Sequence, residues 1–214
     1  MKRARILLAD DHRIFLDGLI SLLEKEYDIV GTAENGRVLI DEVEKKRPDI
    51  VITDISMPEL NGIEATIQIK KIDPEIKVVL LTMHGDATYA SRGFDAGASG
   101  YVMKQAATQE LISAVKEALK GRTFITPMIA GELIRSYRED GKIQPDDIRV
   151  KLTPRQREVL QLLAEGFSTK EVAAKLNISA RTVEFHKYKM MQELNLDTST
   201  ELIHYAIKHG IISI

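Results

Sequence analysis

Short apolar runs punctuate the first hundred residues at near-even intervals. Residues 6–9, 29–33, 50–53, 78–81 and 100–103 each have the length of a strand, are rich in β-branched side chains and are almost continuously apolar. Such runs suit strands buried on both faces of a parallel sheet. The segments between them change period. Ile14, Leu16, Leu19, Ile20, Leu22 and Leu23 mark one helical face, Val38, Leu39 and Val43 a second, and Ile63, Ile67 and Ile69 a third. Tyr89, Phe94 and Ala96 mark a fourth, and Leu111, Ile112, Val115 and Leu119 a fifth. Five strand–helix units in strict alternation predict a doubly wound α/β domain over residues 1–121.

Beyond residue 121 the strand period disappears. Thr126-Pro127 reads as a helix N-cap followed by Pro at the first helical position, and Met128, Ile129, Leu133 and Ile134 form a short apolar stripe. A polar stretch punctuated by Gly141 and Pro145 predicts a flexible tether over 139–149, so residues 122–149 read as a linker with a short helix. The tail carries legible helix starts. Thr153-Pro154-Arg155-Gln156, Ser168-Thr169-Lys170-Glu171 and Thr198-Ser199-Thr200-Glu201 are capping boxes, and Ser179 is a plain N-cap. Gly166 and Asn177 fit as helix stops. The tail, 150–214, therefore predicts a separate all-α domain of four helices, at 154–165, 169–176, 180–194 and 200–209.

Composition narrows the function classes. There is no cysteine among the 214 residues, which excludes disulfides, thiolate zinc sites, iron–sulfur ligation and cysteine nucleophiles. The longest apolar runs have four residues, far short of the roughly 20 that a membrane-spanning helix needs. The N-terminus lacks the apolar stretch and cleavage site of a signal peptide, which predicts a cytoplasmic protein with no membrane partner. The net charge of −2 conceals an asymmetry. Residues 1–121 hold 16 Lys/Arg against 20 Asp/Glu, whereas 150–214 hold 9 against 7. An acidic front and a mildly basic tail fit a sensor joined to a nucleic-acid binder.

The polar residues that end the strands carry the chemistry. Asp10-Asp11, Asp54, Thr82 and Lys104 follow four of the five apolar runs. Parallel strands place their C-terminal ends on one edge, where ligands of open α/β sheets bind. Three carboxylates, a hydroxyl and an amine should therefore converge. Clustered carboxylates repel unless a cation joins them, and a hard divalent cation with oxygen ligands, Mg2+ above all, suits the set. A carboxylate beside Mg2+, an ammonium and a hydroxyl make a site for accepting a phosphoryl group. Taken singly, each Asp reads as a turn or cap residue, Thr82 as a strand terminus and Lys104 as a solvated lysine. Their coincidence on one edge favours the joint reading.

These motifs resemble a known family. Asp10-Asp11-His12, Asp54-Ile55-Ser56-Met57-Pro58 followed by Gly62, Leu81-Thr82, and Gly97-Ala98-x-Gly100-Tyr101-x-x-Lys104 are similar to the receiver domain of two-component response regulators. The resemblance implies a flavodoxin-like five-stranded sheet of order 2-1-3-4-5. It implies Asp54 as the phosphoacceptor served by a sensor histidine kinase. It implies Mg2+ held by Asp11, Asp54 and the Ser56 backbone carbonyl, with Asp10 acting through a metal-bound water. Lys104 and Thr82 would engage the phosphoryl oxygens, and Thr82 and Tyr101 would form the switch. His12 is assigned a surface or partner-contacting role.

In the tail, the helices at 169–176 and 180–194, joined by Asn177-Ile178-Ser179, have helix-turn-helix spacing. Val183, Met190, Met191 and Leu194 should face inward, with Arg181, Glu184, Phe185 and Tyr188 opposite. A bland reading is a small protein-binding domain whose exposed aromatics mark a protein contact. The run from Leu152 to Leu160, Ala164-Glu165-Gly166-x-Ser168-x-Lys170-Glu171-Val172-Ala173, and Ser179-x-Arg181-Thr182-Val183-Glu184-x-His186 resemble the DNA-binding domain of the LuxR/NarL/FixJ family. That resemblance implies double-stranded DNA as partner. Glu184, Phe185 and Tyr188 are its base-contact candidates, and Lys170, Arg181, Lys187 and Lys189 its phosphate candidates. Thr182 and His186 would support the helix or touch the DNA backbone. One common family version has Lys where this chain has Glu184. The last helix, with Ile203 and Ile207, would serve as a dimer surface, although the bland reading places both in the core.

The combined reading is a response-regulator transcription factor that forms a homodimer on activation, not an enzyme acting on an external substrate. Two other readings stay open: a Mg2+-dependent phosphohydrolase with Asp54 as nucleophile, and a DNA-binding regulator whose receiver works without phosphorylation.

Overall fold

The computed structural model describes residues 3–83, 85, 87–106, 108–139 and 152–212. The chain divides into two compact units, Met1–Ile143 and Gln144–Ile214. The tether expected at 139–149 lies, apart from Glu139, outside the described residues. No helix among the described residues is long and apolar enough to cross a membrane.

The first unit alternates as the apolar runs predict. Its elements are β1 (Arg5–Ala9), α1 (Arg13–Leu23), β2 (Asp28–Ala33), α2 (Gly36–Lys46), β3 (Ile50–Asp54), α3 (Gly62–Ile72), β4 (Lys77–Thr82), α4 (Ala87–Asp95), β5 (Gly100–Met103) and α5 (Thr108–Leu119). The strands are parallel, and the expected order 2-1-3-4-5 is present. Strand side chains alternate between faces. Leu7, Ala9, Val51, Val78 and Leu80 join one core with Leu39 and Val43 of α2, Ile63 and Ile69 of α3, and Ala90 of α4. Ile6, Leu8, Ile50, Ile52, Val79 and Leu81 join the other with Leu16 and Leu19 of α1 and Leu111 and Val115 of α5. Two-sided burial explains why these runs lack a polar alternation. The exception is β2, which lies at the edge and leaves Asp28 and Thr32 exposed.

One feature departs from the expected five strands. A sixth, β6 (Phe124–Ile125), adds in parallel beside β5, with Gly100 opposite Phe124 and Tyr101 opposite Ile125. Two residues are too few to show a periodicity, which is why the sequence concealed the strand. It is followed by α6 (Pro127–Glu139), which packs against α4. The Thr126 hydroxyl accepts the Met103 amide at 3.2 Å, tying the start of this helix to the end of β5. The apolar stripe expected on this helix is also different. Ile129 is buried and Leu133 half-buried, but Met128 and Ile134 face outward. Positions 129 and 133 share a face, while 128 and 134 flank it.

The second unit contains α7 (Pro154–Ala164), α8 (Thr169–Leu176), α9 (Ala180–Leu194) and α10 (Ser199–Lys208). All three expected capping boxes form, at Thr153, Ser168 and Thr198, and the Ser179 hydroxyl accepts the Thr182 amide. Asn177 closes α8 in the left-handed conformation at φ 51°, as its sequence position suggested. Leu160, Val172, Val183, Met190 and Leu202 share one small core to which all four helices contribute.

Candidate functional site

The strand ends at the C-terminal edge of the sheet bring the charged residues together. Ala9 pairs with Thr53, so Asp10 and Asp54 emerge side by side from adjacent strands. On the other flank of β3, the Lys104 amide donates to the Thr82 carbonyl at 2.7 Å. Gly62 makes room for this arrangement: a Cβ there would collide with the Asp54 carbonyl oxygen. Helix α3 can therefore start directly against the strand end, with Asn61 Oδ1 accepting the Glu64 amide as its cap.

The Lys104 ammonium is the hub. Its Nζ donates to Asp54 Oδ2 at 2.8 Å and lies 2.7 Å from Asp10 Oδ2. Asp10 and Asp54 are buried, at 0% and 2% exposure. Burial raises the Asp54 carboxyl above the ordinary value; the bond and charge of Lys104 oppose the rise, Asp10 adds to it, and the Ser56 amide opposes it. Burial alone would lower Lys104, but its hydrogen bonds to Asp10 and Asp54 and their charges outweigh this and raise it. One Asp54 oxygen, Oδ1, is buried without a hydrogen-bond partner among the described residues.

Asp11 stands exposed beside this pair. Carboxylate oxygens of Asp10, Asp11 and Asp54 and a nitrogen of His12 lie within 4.8 Å of one another. The three carboxylates of this set, one with an orphaned buried oxygen, fit a hard divalent cation, and the exposed His12 nitrogen lies at its margin, against Asp11. His12 is exposed as expected, with Nδ1 at 2.9 Å from Asp11 and 3.3 Å from Asp10, while its amide donates to Asp10 Oδ1 at 2.9 Å. Ser56 is half-buried in the loop after β3. Thr82 and Tyr101 are fully buried, and the Tyr101 ring lies inward, in the core that also holds Ala90 and Ile129. One neighbour escaped the sequence reading. The Phe15 ring lies 4.8 Å from Lys104 Nζ in cation–π contact, and nothing in the spacing from Asp10 marks it.

The second unit presents a contrasting surface. Along α9, Val183 and Met190 are buried and Met191 and Leu194 half-buried, as the helical period predicts. Arg181, Glu184, Phe185, Tyr188 and Lys189 are exposed, with Phe185 at 60% and Tyr188 at 68%. Lys170, Arg181 and Lys187 form no ion pair among the described residues, whereas Lys189 lies 3.6 Å from Glu193. Thr182 is engaged locally, its hydroxyl 2.8 Å from that of Ser179. His186 is half-buried, and burial together with Arg155 and Lys189 lowers its pKa. Thr169 donates to Glu184 Oε1 at 2.6 Å, a link between α8 and α9 that the sequence reading missed. Ile203 and Ile207 are half-buried and stand outside the buried core of the unit.

Residues 6–116 match the model of the response regulator receiver domain, and residues 150–206 match that of the bacterial regulatory proteins of the luxR family. The oxygen regulatory protein NreC of Staphylococcus carnosus is 36% identical over 215 residues, covering 97% of this chain and 99% of that protein. The transcriptional regulatory protein DegU of Brevibacillus brevis is 33% identical, covering 99% of this chain and 96% of that protein. Among solved structures, RcsB of Salmonella enterica serovar Typhimurium, bound to promoter P1flhDC in the presence of the phosphomimetic BeF3-, superposes with a TM-score of 0.63. It shares 31% identity and covers 97% of this chain and 100% of its own.

Proposed function

Because the chain belongs to the two-component response regulators that join a receiver domain to a LuxR-type DNA-binding domain, we propose that a sensor histidine kinase phosphorylates it on Asp54. We further propose that phosphorylation promotes a homodimer and sequence-specific binding to double-stranded DNA. Reception falls to residues 1–121, output to 150–214 and transmission to 122–149. The observation that carries the reading is the single ammonium of Lys104 bridging the buried carboxylates of Asp10 and Asp54.

In this reading Asp54 attacks phosphorus, and the P–N bond of the donor phosphohistidine breaks with its electron pair leaving on the imidazole. Asp11, Asp54 and the Ser56 carbonyl would hold Mg2+, with Asp10 acting through a bound water. When bound, the ion neutralises charge on the phosphoryl oxygens. Lys104 supplies the second positive charge at the same oxygens. Thr82 donates its hydroxyl to one of them and moves with Tyr101 between two states, so that the acyl-phosphate biases a pre-existing equilibrium. The chain performs this transfer on itself and hydrolyses its own acyl-phosphate slowly. In the tail, Glu184, Phe185 and Tyr188 reach base edges. Lys170, Arg181, Lys187 and Lys189 hold phosphates, and Thr182 supports the helix start. The half-buried Ile203 and Ile207 offer α10 as a dimer surface, which their place outside the core supports.

Asp54→Asn tests the assignment. Incubated with Mg2+ and a small acyl-phosphate donor, the wild-type chain should gain one phosphoryl group by intact mass, and the variant none. Its mass in solution and its affinity for duplex DNA should rise on labelling in the wild type alone. Stoichiometric labelling of the variant refutes the acceptor, and equal DNA affinity with and without donor favours a phosphorylation-independent regulator.

A further inference from the structure

Glu184 is an unexpected residue on a surface meant for DNA. It projects from the first turns of α9, flanked by the exposed Arg181, Phe185 and Tyr188. A carboxylate entering a groove walled by phosphates is repelled unless a donor on the base edge meets it. Guanine O6 and N7 and thymine O4 are acceptors and add to the repulsion. Adenine offers its N6 amino group, but the acceptor N7 stands beside it. Cytosine offers the N4 amino group with no acceptor on its own major-groove edge, and is the base whose amino group Glu and Asp most often accept from. The identity of the side chain thus already selects a base.

Its placement is selected by a second residue. Thr169, the first residue of α8, donates its hydroxyl to Glu184 Oε1 at 2.6 Å. No other described residue holds the Glu184 side chain. The Ser168 capping box fixes the start of α8, and the Ser179 cap fixes the start of α9. The bond therefore joins two rigid helix ends and removes the rotamer freedom of a long exposed side chain. It also engages Oε1 and leaves Oε2 open to a donor on the DNA.

We infer that Thr169 is a positioning residue that holds Glu184 in register to read a cytosine amino group in each DNA half-site. This inference rests on the DNA-binding reading above and adds to it the base and the device that aims the reader.

The test is selection from a randomised duplex library by the full-length protein, with Mg2+ and an acyl-phosphate donor, followed by sequencing of the bound pool. The wild-type pool should carry a cytosine at one fixed position of each half-site. Thr169→Val should lower that preference by roughly two- to tenfold, the range for loss of one hydrogen bond. Its affinity for unselected duplex and its unfolding midpoint should change less than the base preference does. Thr169→Ser, which retains the hydroxyl, should keep the wild-type preference. Glu184→Gln should move the preferred base toward adenine, which a carboxamide pairs on two atoms. An undiminished cytosine preference in Thr169→Val overturns the positioning role. An unchanged base in Glu184→Gln overturns the readout. Failure of the wild-type chain to bind any duplex at low salt removes the DNA reading itself, an outcome distinct from binding without cytosine preference.

Discussion

At the edge of the sheet, Asp10 and Asp54 are buried and share one ammonium, with a phenyl ring against its other side. On α9 and the start of α8, Lys170, Arg181 and Lys187 stand without an ion-pair partner among the described residues. The first arrangement is strained electrostatically and gathered from β1, β3 and the end of β5, so each charge depends on the others. The second is a set of solvated charges on local structure, each nearly independent. A chemical switch needs the former, because a buried site whose charges barely balance responds strongly to one added phosphoryl group. A groove reader needs the latter, because cations already paired within the protein would have to be released before meeting phosphate. The helix ends repeat the contrast. In the larger unit α1 has no side-chain cap although Asn35 and Asn61 cap α2 and α3, while all four described helices of the smaller unit are capped by a side chain.

The sharpest break is Lys104→Met. It removes the ammonium that bridges Asp10 and Asp54 and should destabilise the first unit by about 3–5 kcal/mol in chelator, as for loss of one partner of a buried ion pair. Urea unfolding of the full chain measures this, and added Mg2+ should recover part of the loss. A change below about 1 kcal/mol would show that the carboxylates simply become neutral, the direction in which burial already pushes Asp54. Next comes Thr153→Ala in the second unit, which deletes a capping box and should cost about 1 kcal/mol. In a unit this small that corresponds to a midpoint shift of about 4–8 °C by calorimetry. Asn35→Ala, which deletes the double cap of α2, should shift the first unit by fewer degrees, since its unfolding entropy is larger. Equal shifts would show that the small unit does not lean on its caps.

The two regions were also unequally legible before any coordinates. The tail announced itself residue by residue, because a capping box is a local interaction complete within four positions. Helices α7 to α10 accordingly begin within a residue of where Thr153, Ser168, Ser179 and Thr198 place them. The sheet was legible through its two-sided burial, and the strand-end residues Asp10, Asp54, Thr82 and Lys104 fall on one edge because parallel strands force it. What stayed hidden was short or long-range. Strand β6 has two residues, and its pairing with β5 is decided by tertiary contact. The contacts of Phe15 with Lys104 and of Thr169 with Glu184 join residues whose separation along the chain says nothing of their meeting. Met128 and Ile134 misled because apolar identity alone does not fix which face of α6 is covered.

A smaller test addresses the independence of the solvated charges. Arg181→Ala should leave the unfolding free energy within about 0.5 kcal/mol of the wild type, as surface changes do. The same variant should weaken binding to every duplex and reduce the logarithmic salt slope by about 1, the signature of one lost phosphate contact. A base-dependent loss would instead place the guanidinium at a base edge.

The smallest expected effect tests whether any charge in the second unit behaves like those of the first. His186 is half-buried on α9, near Arg155 of α7 and Lys189 of its own helix, and its folded-state pKa is depressed. The unfolded chain therefore binds a proton more readily than the folded one, and stability falls as pH falls. Its contribution should be complete above the ordinary imidazole value of about 6.5 and be lost as pH drops through the lower folded value. The carboxyls of Glu171 and Glu201 are also lowered, but they are fully exposed and titrate below the range of His186. Thermal unfolding of the full chain above the carboxyl range should carry the imidazole contribution, a midpoint shift of at most a few degrees read as the difference between wild type and His186→Gln, because the raised Asp54 carboxyl shifts stability the opposite way. His186→Gln should flatten that segment of the profile and leave the acid limb in place. A slope that survives the substitution assigns the proton to another group.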